Sequence, residues 1–215
     1  MGWLWLAMLP GVAAGADQRQ PADVALPPWN SLVRVQTEAG GRCTGALIAP
    51  DRVLTAAHCL VAPRTGVLVQ PGRTHALAGY DRGEFRAHAR GLAFTIGPGF
   101  DPARRGPAEA DWAVIRLATP LPGPALSMAA PGSPGTPIWL GGWQQDRAHA
   151  LLADTNCRLT SVAPPLLRHD CTGTRGSSGG PLLVRTPAGF AIVGVAVAAS
   201  RDGAGGLAVR PRVSD

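Results

Sequence analysis

The 215-residue sequence predicts an all-β fold, a barrel or sandwich of many short strands. Three observations predict it. Short apolar runs recur at regular spacing, 28 glycines and 21 prolines punctuate them, and no long stretch sustains a helical period. Hydrophobic content of 46% with 16% charged residues excludes a disordered chain, and the length suits one large domain or two small barrels.

Residues 1–16 read as a secretory signal. The apolar stretch 3–9 is too short to span a bilayer, and Ala14-Gly15-Ala16 forms a small-residue cleavage site, although no Lys or Arg precedes the apolar core. Residues 17–28 are polar and Pro-containing and read as a loosely ordered leader. From Trp29 the strand pattern begins, with strands expected at 32–37, 43–49, 53–57, 66–70, 75–79, 85–96 and 112–117; these form an N-terminal barrel over 29–118. Six prolines between 119 and 137 forbid a central strand, so this stretch reads as a connector. Strands resume at 138–143, 150–160, 166–171, 181–185, 190–198 and 207–210, giving a C-terminal barrel over 138–215. No repeat is visible in the sequence.

The formal net charge of +6 comes entirely from arginine among the basic residues. No arginine cluster is interleaved with aromatics, so nucleic-acid binding is not expected; weak association with anionic surfaces is. No later apolar run reaches the length of a membrane span. Four cysteines in an exported chain suggest two disulfides, and the absence of a C-x-x-C spacing disfavours zinc; no metal or cofactor is implied.

The chemistry centres on Thr174-Arg175-Gly176-Ser177-Ser178-Gly179-Gly180-Pro181. A serine alcohol needs an adjacent base and donors for the oxyanion it creates, and a glycine-rich turn can supply backbone N–H groups to one small space. Alone, such a stretch is a turn between strands. Two others accompany it: Thr55-Ala56-Ala57-His58-Cys59 and Asp111-Trp112-Ala113-Val114-Ile115-Arg116-Leu117.

In chain order the three resemble the His, Asp and Ser motifs of the trypsin/chymotrypsin-like serine proteases, and the likeness runs from about Trp29 onward. The resemblance implies two six-stranded antiparallel Greek-key β-barrels with the active site in the cleft between them. It implies a catalytic triad of His58, Asp111 and Ser178, with the amides of Gly176 and Ser178 as the oxyanion hole. It implies a Cys43–Cys59 disulfide beside the histidine and leaves Cys157 and Cys171 as the second pair. His75, His88, His149 and His169 lack the histidine motif, His169 being the one closest in sequence to the nucleophile loop; Asp101, beside Pro102, reads as a turn.

Two departures carry information. Trp112 fills an aliphatic position, and Ser177 stands where digestive members carry an Asp that pairs with a new N-terminus; the expected I-V-G-G start is also missing. A buried carboxylate without its ammonium partner is costly, so the joint loss is consistent, and the pattern resembles the bacterial secreted, glutamyl endopeptidase-like branch more closely. The position matching the basic-specificity Asp is Thr172, so cleavage after Arg or Lys is not expected. Thr172, Gly173, Arg175, Val197, Ala198 and Ala199 are expected around the substrate pocket, which favours a small or medium apolar side chain, with Arg175 able to tolerate an acidic one. The resulting expectation is a monomeric, secreted or periplasmic serine endopeptidase acting on protein or peptide substrates. The rivals are a binding protein on the same fold and an esterase using the same triad.

Overall fold

Strands with one apolar face must bury it against another surface, and the described residues do so by closing a sheet upon itself twice. The structure, a computed structural model, describes residues 17–212; the expected signal at 1–16 lies outside the described residues. After a short β1 (Gln20–Pro21), the first barrel comprises β2 (Leu32–Thr37), β3 (Arg42–Ala49), β4 (Arg52–Thr55), β5 (Thr74–Ala78), β6 (Ala87–Ile96) and β7 (Ala113–Leu117). It closes antiparallel in the order β2-β3-β4-β7-β6-β5. A two-residue β8 (Ser127–Met128) precedes the second barrel: β9 (Pro137–Gly142), β10 (Leu152–Ala163), β11 (Leu166–Thr172), β12 (Pro181–Thr186), β13 (Gly189–Ala199) and β14 (Ala204–Val209). These close in the order β9-β10-β11-β14-β13-β12, the same order as the first barrel advanced by seven strands. The duplication that the sequence hides is plain in the topology.

Each barrel is filled from within. Leu32, Leu47, Leu54 and Ile115 are fully buried in the first, and Ile138, Leu140, Leu159, Leu167 and Leu182 in the second. At about 25 cal/mol per Å² of apolar area, interiors of this kind are the main favourable contribution to folding.

Two expectations are corrected. Residues 66–70 form no strand, only a single bridge between Val61 and Leu68; Val67 points into solvent and no neighbouring strand pairs with it. The leader is not loose. Gln20 and Pro21 pair with Ala153 and Leu152, the Ala22 amide donates to the Leu151 carbonyl, and Arg19 is only 7% exposed. The proline-rich connector does touch the second barrel, since its proline-free pair Ser127–Met128 (β8) adds a short parallel edge to β13.

Candidate active site

Strands β4 and β7 are antiparallel neighbours, with Thr55 opposite Ala113. The end of β4 and the start of β7 therefore lie at the same rim of the first barrel. Beyond β4 the chain makes a 3-10 turn, Ala57–Leu60, carrying His58; just before β7, Asp111 caps the 3-10 turn Ala108–Ala110. The pairing thus delivers both side chains to one place. Asp111 is buried (4% exposed), and its carboxylate accepts two bonds from one residue: the His58 amide at 2.8 Å and His58 Nδ1 at 2.6 Å. A carboxylate accepts, so Nδ1 is the donor in this pair and Nε2, 3.9 Å from Cys59 Sγ, is left without a hydrogen.

Ser178 comes from the second barrel, on the loop between β11 and β12. His58, Ser178 and Gly176 line one cleft of about 410 Å³ between the barrels, with the Cys43–Cys59 disulfide in its wall. The nucleophile loop is held from several sides. The Ser178 carbonyl accepts from the Thr44 amide (2.9 Å), and the Gly176 carbonyl from Thr44 Oγ1 (2.9 Å). Ser177 is buried and donates its hydroxyl to the Thr174 carbonyl at 2.7 Å, closing the turn where an acidic residue would have needed a cation.

The Arg175–Gly176 peptide carries one of the two amides expected for an oxyanion hole. Its carbonyl accepts from the Gln145 amide at 2.7 Å, and in a trans peptide the N–H points opposite to the C=O. The Gly176 N–H is thereby turned away from Gln145. Gly176 has φ +100°, and a Cβ there would collide with the Trp143 carbonyl, so only glycine fits.

A second cavity of about 540 Å³ opens beside Ser178, lined by Gly173, Thr174, Arg175, Ala198, Ala199, Ser200, Arg201 and Gly203. Of the expected pocket residues, Gly173, Arg175, Ala198 and Ala199 line it. Thr172 instead gives its amide to the Asp154 carboxylate (2.8 Å), and Val197 packs into the hydrophobic core. A register shift in β13 lies between Ala196 and Ala198, beside Val197. Thr174, Ser200, Arg201 and Gly203 were missed; the basic Arg201 in a Gly-rich hairpin was the available signal.

Cys157–Cys171 form the second disulfide, and neither pair leaves a free thiol. Cys43, His58 and Cys59 approach one another like metal ligands, but both sulfurs are joined to each other and offer no thiolate. Among the other histidines, His75 and His88 stack and hydrogen-bond to each other at 2.8 Å on the outer face of the first barrel. His169 is buried (5% exposed) behind the pocket wall, with neither ring nitrogen hydrogen-bonded, and burial pushes its pKa down to about 4 despite the nearby carboxylates of Asp170 and Asp154. Asp101 accepts from the amides of Ala103 and Arg104 in a turn, as its proline neighbour suggests.

A family model described as Trypsin matches residues 15–214. The chain belongs to the trypsin family. It is 32% identical over 190 residues to serine protease 56 of Mus musculus and 30% identical over 194 residues to serine protease 56 of Homo sapiens. Those matches cover 74% and 76% of this chain but only 30% and 31% of the relatives, so this trypsin-family chain spans less than a third of the length of the curated relatives it matches. A solved structure of a Glu endopeptidase superposes with a TM-score of 0.78 at 23% identity, covering 91% of this chain and 92% of that one, which shows the two-barrel fold.

Proposed function

We propose that this chain is a serine endopeptidase in which Ser178 attacks the scissile carbonyl. His58 Nε2 takes the hydroxyl proton as the bond forms, and Asp111 holds the imidazole in the required tautomer and stabilises the imidazolium. The tetrahedral oxyanion is received by the N–H groups of Gly176 and Ser178. Collapse expels the amine with the proton from His58, leaving an acyl-Ser178 that water hydrolyses by the same steps. The observation that carries this reading is the doubly held His58, clamped by Asp111 through backbone and ring, facing the same cleft as Ser178.

The pocket walls formed by Gly173, Ala198 and Ala199 favour a small or medium P1 side chain. A second reading, an acidic P1, is favoured by one observation: Arg175 and Arg201 both line that cavity, and a guanidinium binds a carboxylate in a bidentate fork. Two disulfides fit an oxidising compartment, and no helix among the described residues is long and apolar enough to cross a membrane. We infer the exported compartment from the two disulfides together with the signal-like residues 1–16.

The test is labelling by a fluorophosphonate probe and cleavage of a mixed peptide library read by mass spectrometry. The parent labels and cleaves, and Ser178→Ala does neither. An acidic P1 preference that disappears in Arg201→Ala selects the second specificity reading. An unlabelled, folded, disulfide-intact parent overturns the enzyme assignment in favour of a binding role.

A further inference from the structure

Arg19 is a charged residue in the segment that sequence alone makes a leader, yet it is buried against the loops that build the oxyanion hole. Its guanidinium makes two forks. Nε and Nη2 reach the Asp17 carboxylate at 2.8 and 2.9 Å, while Nη1 and Nη2 reach the Asp146 carboxylate at 3.1 and 2.7 Å. Nη1 also donates to Gln144 Oε1 at 2.7 Å, and that same oxygen accepts the Thr174 amide at 2.7 Å. Thr174 Oγ1 in turn donates to Asp146 at 3.0 Å. One cation therefore ties the 144–146 loop to Thr174, on either side of the peptide that matters: Gln145 lies between the two residues Arg19 grips, and its amide holds the Arg175 carbonyl.

We propose that Arg19 is a positioning residue for the oxyanion donor. It fixes the 144–146 loop so that the Gln145 amide anchors the Arg175 carbonyl and turns the Gly176 N–H into the cleft. Without it, Gln144 keeps a buried amide oxygen with one donor fewer, Asp146 and Asp17 lose their shared counter-charge, and the Arg175–Gly176 peptide loses the frame that sets its orientation. The segment 17–21 is then part of the catalytic apparatus, docked through β1 and locked by Arg19, with Arg147 Nη2 donating to Asp17 at 2.6 Å as a second, more exposed tie. The electrostatics agree with the geometry: the carboxyl groups of Asp17 and Asp146 lie below their ordinary range chiefly through their hydrogen bonds to Arg19. A guanidinium suits the role because it stays charged and presents two edges, whereas a lysine ammonium is a single point.

The proposal rests on the serine hydrolase reading, and the experiment separates the two. Full-length parent, Arg19→Ala, Arg19→Lys and Asp146→Ala are compared by rate of fluorophosphonate labelling and by turnover of a p-nitrophenyl ester. Loss of one oxyanion donor costs about 100-fold or more in kcat. Arg19→Ala is expected to fall by about that factor in kcat and in labelling rate with KM within a few-fold, Arg19→Lys to lie between it and the parent, and millimolar methylguanidine to restore activity to Arg19→Ala but not to Ser178→Ala. Parent-like labelling by Arg19→Ala overturns the proposal, as does a loss that appears in KM alone. Should Arg19→Ala not fold, Asp146→Ala decides, since its side chain is substantially exposed: a several-fold lower kcat supports the clamp and an unchanged kcat overturns it. A parent that fails to label overturns the hydrolase reading instead.

Discussion

His169 shows what a single buried side chain does to stability without serving the chemistry. Its ring lies beside Gly206, Leu207 and Ala198 with both nitrogens unpartnered, so protonating it costs more in desolvation than the nearby Asp170 and Asp154 carboxylates return. The folded pKa of about 4 against the ordinary 6.5 fixes the sign. The unfolded chain binds the proton more readily, so the contribution of neutral His169 is complete above pH 6.5 and is lost as pH falls from there through about 4. The full difference corresponds to roughly 3 kcal/mol. His169→Leu removes the titrating group and two unsatisfied polar atoms while keeping similar bulk. We expect urea midpoints of the variant at pH 7 equal to or above the parent's, and a much smaller drop between pH 7 and pH 4.5. A parent-like acid slope in the variant would assign that slope to other groups.

At the scale of elements, the two disulfides separate stability from function. They span 16 and 14 residues, so the chain-entropy model assigns each about 3 kcal/mol. Cys43–Cys59 ties β3 to the turn that carries His58, whereas Cys157–Cys171 lies in the core of the second barrel. Removing either pair as Cys→Ala is expected to lower the unfolding free energy by a similar amount. Only the Cys43/Cys59 variant should label more slowly with fluorophosphonate at a temperature where both are folded. Legibility follows the same division between local and distant causes. The strand Leu32–Thr37 is visible in its own alternation and ends at a Gly-Gly turn, and the His58, Asp111 and Ser178 motifs are contiguous words. The stretch 66–70 has strand-like composition but only the single Val61–Leu68 bridge, and pairing, not propensity, makes a strand. Val197, Ala198 and Ala199 cannot all face one cavity from a strand whose successive side chains alternate, and it is Val197 that packs inward. Arg19 was illegible for a stronger reason: its partners Gln144 and Asp146 stand 125 and 127 residues away, and nothing in Gln18-Arg19-Gln20 names them.

At the scale of the whole molecule, the proposed function requires that two barrels, joined by a continuous apolar cluster running from Leu32 and Leu47 to Leu183 and Val209, hold one reaction geometry. His58 and Asp111 belong to the first and Ser178 to the second, so small rotations between barrels would spoil the alignment that proximity catalysis needs. Two sets of contacts oppose such rotation. On one side, the Arg34 guanidinium stacks over Tyr80 at 4.1 Å and donates to the Ala148 carbonyl, while Trp143 Nε1 donates to the Tyr80 carbonyl at 3.0 Å. At the centre stands Thr44 of β3, wholly buried, whose hydroxyl donates to the Gly176 carbonyl and accepts the Trp143 amide at 3.1 Å while its own amide donates to the Ser178 carbonyl. One first-barrel residue therefore touches both ends of the oxyanion loop. Thr44→Val keeps the shape and the backbone bond but leaves the Gly176 carbonyl and the Trp143 amide without their partner, a cost of about 1–3 kcal/mol for each group left buried and unsatisfied. That cost falls on the junction and not on either core. Thr44→Val is expected to reduce kcat by ten-fold or more with both disulfides intact, and to melt only a few degrees below the parent. Combined with Arg19→Ala it should be less than additive, because both substitutions release the same loop. Full additivity in kcat would mean that the two residues act on different parts of the site, and the picture of one loop held from both barrels would have to be given up.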